Sequence, residues 1–335
     1  MFNNHQMNEI KYKAFVTKES DSSFTNSVEE LSTVLLKEND LLVKVSYSSL
    51  NYKDALSASG NKGVTREYPH TPGIDAVGEV VESNSSEFKI GEKIVVTGFD
   101  LGMNTSGGFG QYISIPANWA VPLPNNLTES EVMSIGTAGL TAGLCVRKLL
   151  MNNLTPDSGD ILVTGASGGV GSVAVMLLSK LGFKVTALTG KTDQIDYLRS
   201  LGASSVLMRS EMEDQGKPLQ KGVYQGGVDT VGGNILSNFI SQTSQRGTIT
   251  CCGNVASDKL QTSIFPFILR GVTLIGIDSA ESLLEVKKEI WNNFSNDWKL
   301  ELAKITKEVD LESLSDEVEK ILQGNQVGRI RVNLG

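Results

Sequence analysis

Along the first third of the chain, short apolar runs separated by polar turns have the pattern of strands. Segments 11–16, 41–49, 76–82, 92–98 and 110–115 are rich in β-branched residues and punctuated by glycines, so each is expected to be a strand. Between the second and third, residues 51–59 have the length of a short helix, and Asn51 suits its N-cap.

The texture changes near Thr128. Thr128-Glu129-Ser130-Glu131 offers a hydroxyl at a cap position and a carboxylate three residues on, which predicts a helix start. From Asp160 short apolar runs alternate with helical periodicity. Strands are expected at Ile161–Thr164, 184–189, Ser205–Met208, 227–231, 248–252 and 272–277, and helices at 169–181, 194–201 and Gly233–Ser241. Strand–helix alternation at this spacing predicts a parallel, doubly wound sheet. After Ser279 two helical stretches, 283–291 and 311–322, lead to a strand-like 328–334, which is expected to pair with the sheet of the first domain.

A chain of 335 residues, 40% of them hydrophobic, suits two domains with ample core. The net charge of −8 argues against nucleic-acid binding and leaves room for a basic pocket around one phosphate ligand. No run approaches the roughly 18 apolar residues of a membrane span. Residues 1–10 are polar and lack the apolar core of a secretory signal. The three cysteines, Cys145, Cys251 and Cys252, read as small packed hydrophobes and suit a reducing cytoplasm.

The candidate chemistry begins where the first strand of the alternating region meets its helix. In Gly165-Ala166-Ser167-Gly168-Gly169-Val170-Gly171, the residues Ala166, Gly168 and Gly171 occupy the small positions of a dinucleotide fingerprint, with alanine replacing the first glycine. Small residues there permit a sharp turn, approach of a pyrophosphate to the backbone, and close helix–strand contact. The helix start adds unpaired N–H groups from Ser167 to Gly171. The next strand ends Thr189-Gly190-Lys191, without the carboxylate that would bond a ribose 2′-hydroxyl. Thr189 and Lys191, with Arg209 after the third strand, suit a 2′-phosphate and hence NADPH. The plainer reading of Lys191 and Arg209 is solvated surface charge.

Several stretches together resemble one family. They are Ser48-Ser49-Leu50-Asn51-Tyr52-Lys53-Asp54-Ala55-Leu56, Pro72-Gly73-Ile74-Asp75, Ile135-Gly136-Thr137-Ala138-Gly139-Leu140-Thr141-Ala142, the fingerprint, Val228-Asp229-Thr230-Val231-Gly232-Gly233, Pro266-Phe267-Ile268-Leu269-Arg270-Gly271-Val272, Gly276-Ile277-Asp278-Ser279 and Gly328-Arg329. The chain resembles the medium-chain dehydrogenase/reductases, within them the zinc-free YhdH/YhfP-like quinone oxidoreductases that include acrylyl-CoA reductases. The resemblance implies an α/β architecture. A GroES-like partial β-barrel would be formed by 1–128 and 280–335, and a Rossmann doubly wound domain by 129–279. It also implies a homodimer, with the last Rossmann strand, 272–277, as a pairing edge.

Zinc members carry a cysteine ligand early in the first domain and a Gly-His-Glu motif; here Asn51-Tyr52-Lys53-Asp54 and Gly73-Ile74-Asp75 stand at those positions. Zinc chemistry needs three protein ligands and an open position. His5 and His70 are the only histidines, and His70 reads as a loop residue, so no metal is expected.

By the same resemblance, Thr137 and Thr141 lie beneath the nicotinamide half of the cofactor, and Asn254, Ile268 and Ser279 line its pocket. Arg329 is expected to reach back toward the cofactor phosphates. Tyr52 is expected to face nicotinamide and substrate, with Asn51 and Asp54 sharing a face of the short helix. Asn51 could equally be only a cap, and Asp54 only a loop support. Hydride from NADPH would reach the β-carbon of a conjugated carbonyl compound, an acrylyl-CoA-type thioester first and a quinone second, with hydrogen bonds stabilising the enolate. A reading of another class is a catalytically idle NADPH-binding sensor. The variable stretches 61–68 and 100–106 are expected to border the substrate.

Overall fold

The computed structural model describes residues 9–21 and 23–335. His5 and the first eight residues lie outside the described residues. The chain divides into two compact units: Met1–Thr137 with Ala280–Ser295 and Thr306–Gly335, and Ala138–Ser279 with Asn296–Ile305.

The first unit opens with β1 (Lys11–Ser20) and β2 (Ser23–Ser32), an antiparallel hairpin. There follow β3 (Leu41–Leu50), α1 (Tyr52–Ala58), β4 (Asp75–Ser83), β5 (Lys93–Thr97), β6 (Tyr112–Ile115) and β7 (Val121–Pro122). Helix α2 (Glu129–Met151) starts in the first unit and ends in the second. The expected cap is present: Thr128 N donates to Glu131 Oε2 at 2.8 Å, and Glu131 N to Thr128 Oγ1 at 3.2 Å.

The second unit holds β8 (Ile161–Thr164), α3 (Gly169–Lys180), β9 (Val185–Thr189), α4 (Ile195–Ser200), β10 (Ser205–Met208) and β11 (Tyr224–Asp229). It continues with α5 (Gly233–Ser241), β12 (Thr243–Cys251), α6 (Phe265–Arg270) and β13 (Thr273–Gly276). Its six strands run in the order β10-β9-β8-β11-β12-β13, every neighbouring pair parallel. This is the Rossmann order, whose direction reverses between β8 and β11. β8 is buried at all four positions, as an apolar run in a sheet covered on both faces must be. Leu162, Leu188, Phe239 and Ile249 form part of the core around it.

The chain then returns to the first unit with α7 (Leu284–Ser295), β14 (Thr306–Val309), α8 (Leu314–Leu322) and β15 (Arg329–Asn333). The sheet there runs β14-β15-β3-β4-β5-β7, with β6 also on β3. β15 pairs antiparallel with β3, Ile330 opposite Leu50, as the strand-like pattern of 328–334 led one to expect. Leu41, Val43, Leu50, Val96, Ile113, Ile330 and Val332 fill its core.

The units divide differently from the expected domains. The first extends past residue 128 to Thr137, and 296–305 belongs to the second. The change of texture at Thr128 marks where helix replaces strand, but packing changes only after Gly136. That residue breaks α2 at φ 51, ψ −162, and a Cβ on it would come within 2.3 Å of Ser49 Oγ. In 296–305, Trp298, Leu302 and Ile305 are buried, which accounts for the segment's place in a core rather than on a linker.

Candidate active site

In the second unit β8 runs into a turn with Gly165 at φ 60, tied by Ala166 N to Leu188 O at 3.0 Å and Gly168 N to Gly165 O at 3.0 Å. Gly168 is the extended N-cap of α3, whose first-turn N–H groups have no acceptor within the helix. A Cβ on Gly171 would lie 2.2 Å from Gly165 O, so only glycine lets α3 approach the turn this closely. The turn stands at the C-terminal end of β8, beside the point where the strand order reverses, which is where ligands of such sheets bind.

Several expected residues converge on the tip of β9. The Ser167 and Thr189 hydroxyls lie 3.0 Å apart, and Lys191 N donates to Thr189 Oγ1 at 3.1 Å. A methyl on Gly190 would stand 3.4 Å from the Arg209 guanidinium carbon. Arg209 Nε donates to Glu213 at 2.8 Å. Burial lowers the Lys191 ammonium from its ordinary value, and Asp193 works against it. Backbone N–H groups, glycines without side chains in the way, a hydroxyl pair and two cations fit a phosphorylated dinucleotide.

Elsewhere in this unit Thr141 Oγ1 donates to Ser279 Oγ at 2.7 Å, joining two more expected residues. Asn254 is exposed, and Ile268, on α6, is 64% exposed, so neither is packed into the core of its unit. All three cysteines are free, Cys145 fully buried. The Cys252 thiol is held well above its ordinary range, first by the hydrogen bond with Cys145 and then by burial.

In the first unit the start of α1 carries a buried charged cluster. Asp54, fully buried, accepts Asn51 N at 2.7 Å, Asn51 Nδ2 at 3.2 Å and Ile74 N at 2.8 Å. Burial and the neighbouring Asp75 carboxylate push its pKa up to about 7, against those N–H donors. Asp75, also fully buried, accepts Asn51 Nδ2 and Thr137 N at 2.8 Å each, and the hydroxyls of Ser49 and Thr137. Through these bonds Asn51 and Asp54 cap the helix and tie it to the 72–75 loop. Tyr52 follows on the outside, 46% exposed.

Arg329 departs from expectation. Its side chain is buried and donates to Ser49 Oγ at 2.9 Å, Ser134 O and Leu50 O at 3.2 Å, and Asn51 Oδ1 at 3.3 Å. Two buried carboxylates demand a counter-charge, and the guanidinium meets that demand inside the first unit instead of reaching toward phosphates. Asp75 is the member that sequence reasoning missed. The signal was available, since a carboxylate in the apolar run Ile74-Asp75-Ala76-Val77 must find a buried partner.

Among the described residues no group of three or more His, Cys, Asp or Glu is arranged to hold a metal. His70 is buried at 8% exposure, its ring edge-on to Tyr68. Burial lowers its pKa, while the Gly102 carbonyl and Asp100 oppose the shift.

Comparison with known proteins bears on the whole chain. Residues 37–125 match the alcohol dehydrogenase GroES-like domain, and residues 169–304 the domain described as zinc-binding dehydrogenase. The acrylyl-CoA reductase AcuI of Ruegeria pomeroyi is 38% identical over 95% of this chain and 98% of its own. Bacillus subtilis YhfP, which bears a quinone oxidoreductase name, is 40% identical over 96% of this chain and 99% of its own. The structure of YhfP with NAD bound superposes with TM-score 0.94, and covers 97% of this chain and 100% of that one. The Salmonella enterica yhdH oxidoreductase in complex with NADP also gives 0.94, at 37% identity, over 96% of this chain and 100% of that one. Among the described residues no helix is long and apolar enough to cross a membrane. With such relatives matched along nearly their full length, on a Rossmann sheet and a GroES-like unit, the chain belongs to the medium-chain dehydrogenase/reductase superfamily, in the family of YhdH/YhfP-like quinone oxidoreductases and acrylyl-CoA reductases.

Proposed function

We propose that the protein is an NADPH-dependent, zinc-free reductase of α,β-unsaturated carbonyl compounds, acting on enoyl thioesters of the acrylyl-CoA type. The observation that carries this reading is the tip of β9. Thr189, Gly190 and Lys191 stand where an NAD site needs a carboxylate, and Arg209 lies against Gly190. Binding of NADP by the yhdH relative and the acrylyl-CoA reductase relatives support the same choice.

When bound, NADPH supplies a hydride for the β-carbon of the substrate. The N–H groups of Ser167, Gly169, Val170 and Gly171 at the start of α3 hold the pyrophosphate, that of Gly168 being given to Gly165 O to shape the turn, and Thr189, Lys191 and Arg209 hold the 2′-phosphate. Thr137, Thr141, Asn254, Ile268 and Ser279 line the nicotinamide half. Tyr52, at the exposed start of α1, faces the substrate and donates a hydrogen bond from its hydroxyl. Asn51 and Asp54 fix the turn from which Tyr52 projects. Charge developing on the carbonyl oxygen is met by hydrogen bonds rather than by a metal, and a proton then reaches the α-carbon to complete the reduction. The protein works in the cytoplasm as a homodimer. Its pairing edge is β13, the last strand of the sheet, next to α6 with its exposed Phe265, Ile268 and Leu269.

A quinone oxidoreductase is the second reading, favoured by the name of the YhfP relative. NADPH oxidation measured side by side with acrylyl-CoA, crotonyl-CoA and a naphthoquinone separates them. The proposal expects turnover of the thioesters. Turnover of the quinone alone overturns it, and turnover of nothing favours the idle sensor.

A further inference from the structure

The chain passes from the first unit to the second after Thr137 and returns at Ala280. On the first-unit side, each crossing ends on a buried charged side chain. Thr137 gives its amide and hydroxyl hydrogens to Asp75. The Ala280 carbonyl accepts from Lys287 Nζ at 2.8 Å and from Phe99 N at 3.1 Å. On the second-unit side, Thr141, one helical turn past Thr137, donates to Ser279 Oγ. Hydrogen bonds thus lie next to both crossings, each within its own unit: Asp75 to Thr137, Thr141 to Ser279, and Ala280 to Lys287.

Lys287, on α7, is 1% exposed. Its ammonium also donates to Thr97 O at 2.6 Å and stands 3.5 Å from the Phe99 ring centroid. Phe99 holds φ at 55°, uncommon for an aromatic residue, and its ring stacks on Trp119 with centroids 5.6 Å apart. A Cβ on Gly98 would come within 2.7 Å of Ala280 Cα. Ala280 is therefore confined by the Gly98-Phe99 backbone and gripped by the ammonium. Burying an ammonium is costly where an apolar side chain of like size would fill the same space. Its engaged donors instead hold the residue that follows Ser279.

We infer that Lys287 is a positioning residue for the nicotinamide half of the cofactor site: by holding the Ala280 carbonyl it fixes the main chain at Ser279. The inference rests on the nicotinamide roles proposed above for Thr141 and Ser279. It gives a function to a buried cation that lies outside the residues assigned to cofactor and substrate.

The test is calorimetric titration of the full chain and its Lys287→Met variant with NADPH and, separately, with adenosine 2′,5′-bisphosphate, which lacks the nicotinamide half. The expected result is NADPH binding about tenfold weaker in the variant, with adenosine bisphosphate binding unaltered. Equal weakening of both ligands, which general damage to the fold would produce, overturns the inference, and so does no weakening of either. Should Lys287→Met not fold, Gly98→Ala displaces Ala280 while leaving the ammonium in place. The same split between ligands is expected there, and its absence overturns the inference. Wild-type protein that binds neither ligand overturns the proposed function itself, and this inference with it. Failure of the inference alone leaves wild-type NADPH binding intact.

Discussion

The glycine turn of the second unit and the charged cluster of the first both hold a stretch of backbone in one conformation, by opposite means. The turn works by vacancy: Gly168 and Gly171 withhold side chains, so α3 packs against Gly165 and leaves its N–H groups unpaired. The cluster works by filling: Asp54, Asp75 and Arg329 are buried together, and every polar atom needs a partner. The first device is local in sequence and indifferent to pH. The second joins residues from opposite ends of the chain and carries protons and charge.

Four changes would break or sharpen this contrast. Arg329→Met leaves two buried carboxylates without their cation and should cost about 3–5 kcal/mol of stability in urea unfolding. The NADPH Michaelis constant of the folded protein should move little. Intact stability with weakened NADPH binding would restore a phosphate role for Arg329.

Gly171→Val drives a side chain into Gly165 O and Ala166 Cα. Its stability should fall by about 2–3 kcal/mol, with NADPH affinity down at least about a hundredfold. Normal affinity by titration would mean the turn does not meet the pyrophosphate.

The third change is of pH. Asp54 binds its proton more tightly folded, near 7, than at its ordinary value of 3.8. Between those values the native state therefore holds more protons than the unfolded one, and stability falls as pH rises. This group's contribution is fully present below about pH 4 and lost as pH passes 7. Relative to Asp54→Asn, the wild type should lose about 1–2 kcal/mol between pH 5 and 7 in denaturant titrations. Parallel curves would mean that the N–H donors keep Asp54 ionised throughout.

Lys191→Ala should raise the Michaelis constant for NADPH about tenfold and that for NADH hardly at all, with stability unchanged within about 0.5 kcal/mol. An equal effect on both cofactors would defeat the 2′-phosphate assignment.

The same contrast explains what the sequence made legible. β8, the turn and α3 follow one another without interruption, so periodicity and glycine spacing revealed them together. Strand β2 escaped because Ser23–Ser32 is mostly polar, so the alternation of its half-buried positions is not written in apolar residues. Helix α6 escaped because its Phe265, Ile268 and Leu269 face solvent in place of a core. Asn51 and Asp54 were found through their helix, whereas the Asp75–Arg329 association depends on β15 lying against β3. No local pattern fixes that register, so the sequence alone does not reveal that Arg329 sits within the cluster.

The pairing of β15 with β3 also sets the order in which the protein can be made. Residues 138–279 leave the ribosome as one continuous stretch holding the whole parallel sheet, and only 296–305 is then still needed to complete that unit. The first unit cannot close until Arg329–Asn333 has been synthesised, after the entire cofactor unit. Until then the Tyr47–Leu50 half of β3 lacks its β15 partner, and the carboxylates of Asp54 and Asp75 wait without their cation. The strands of the first unit are thus exposed to aggregation and proteolysis until a strand made after the cofactor unit completes their sheet.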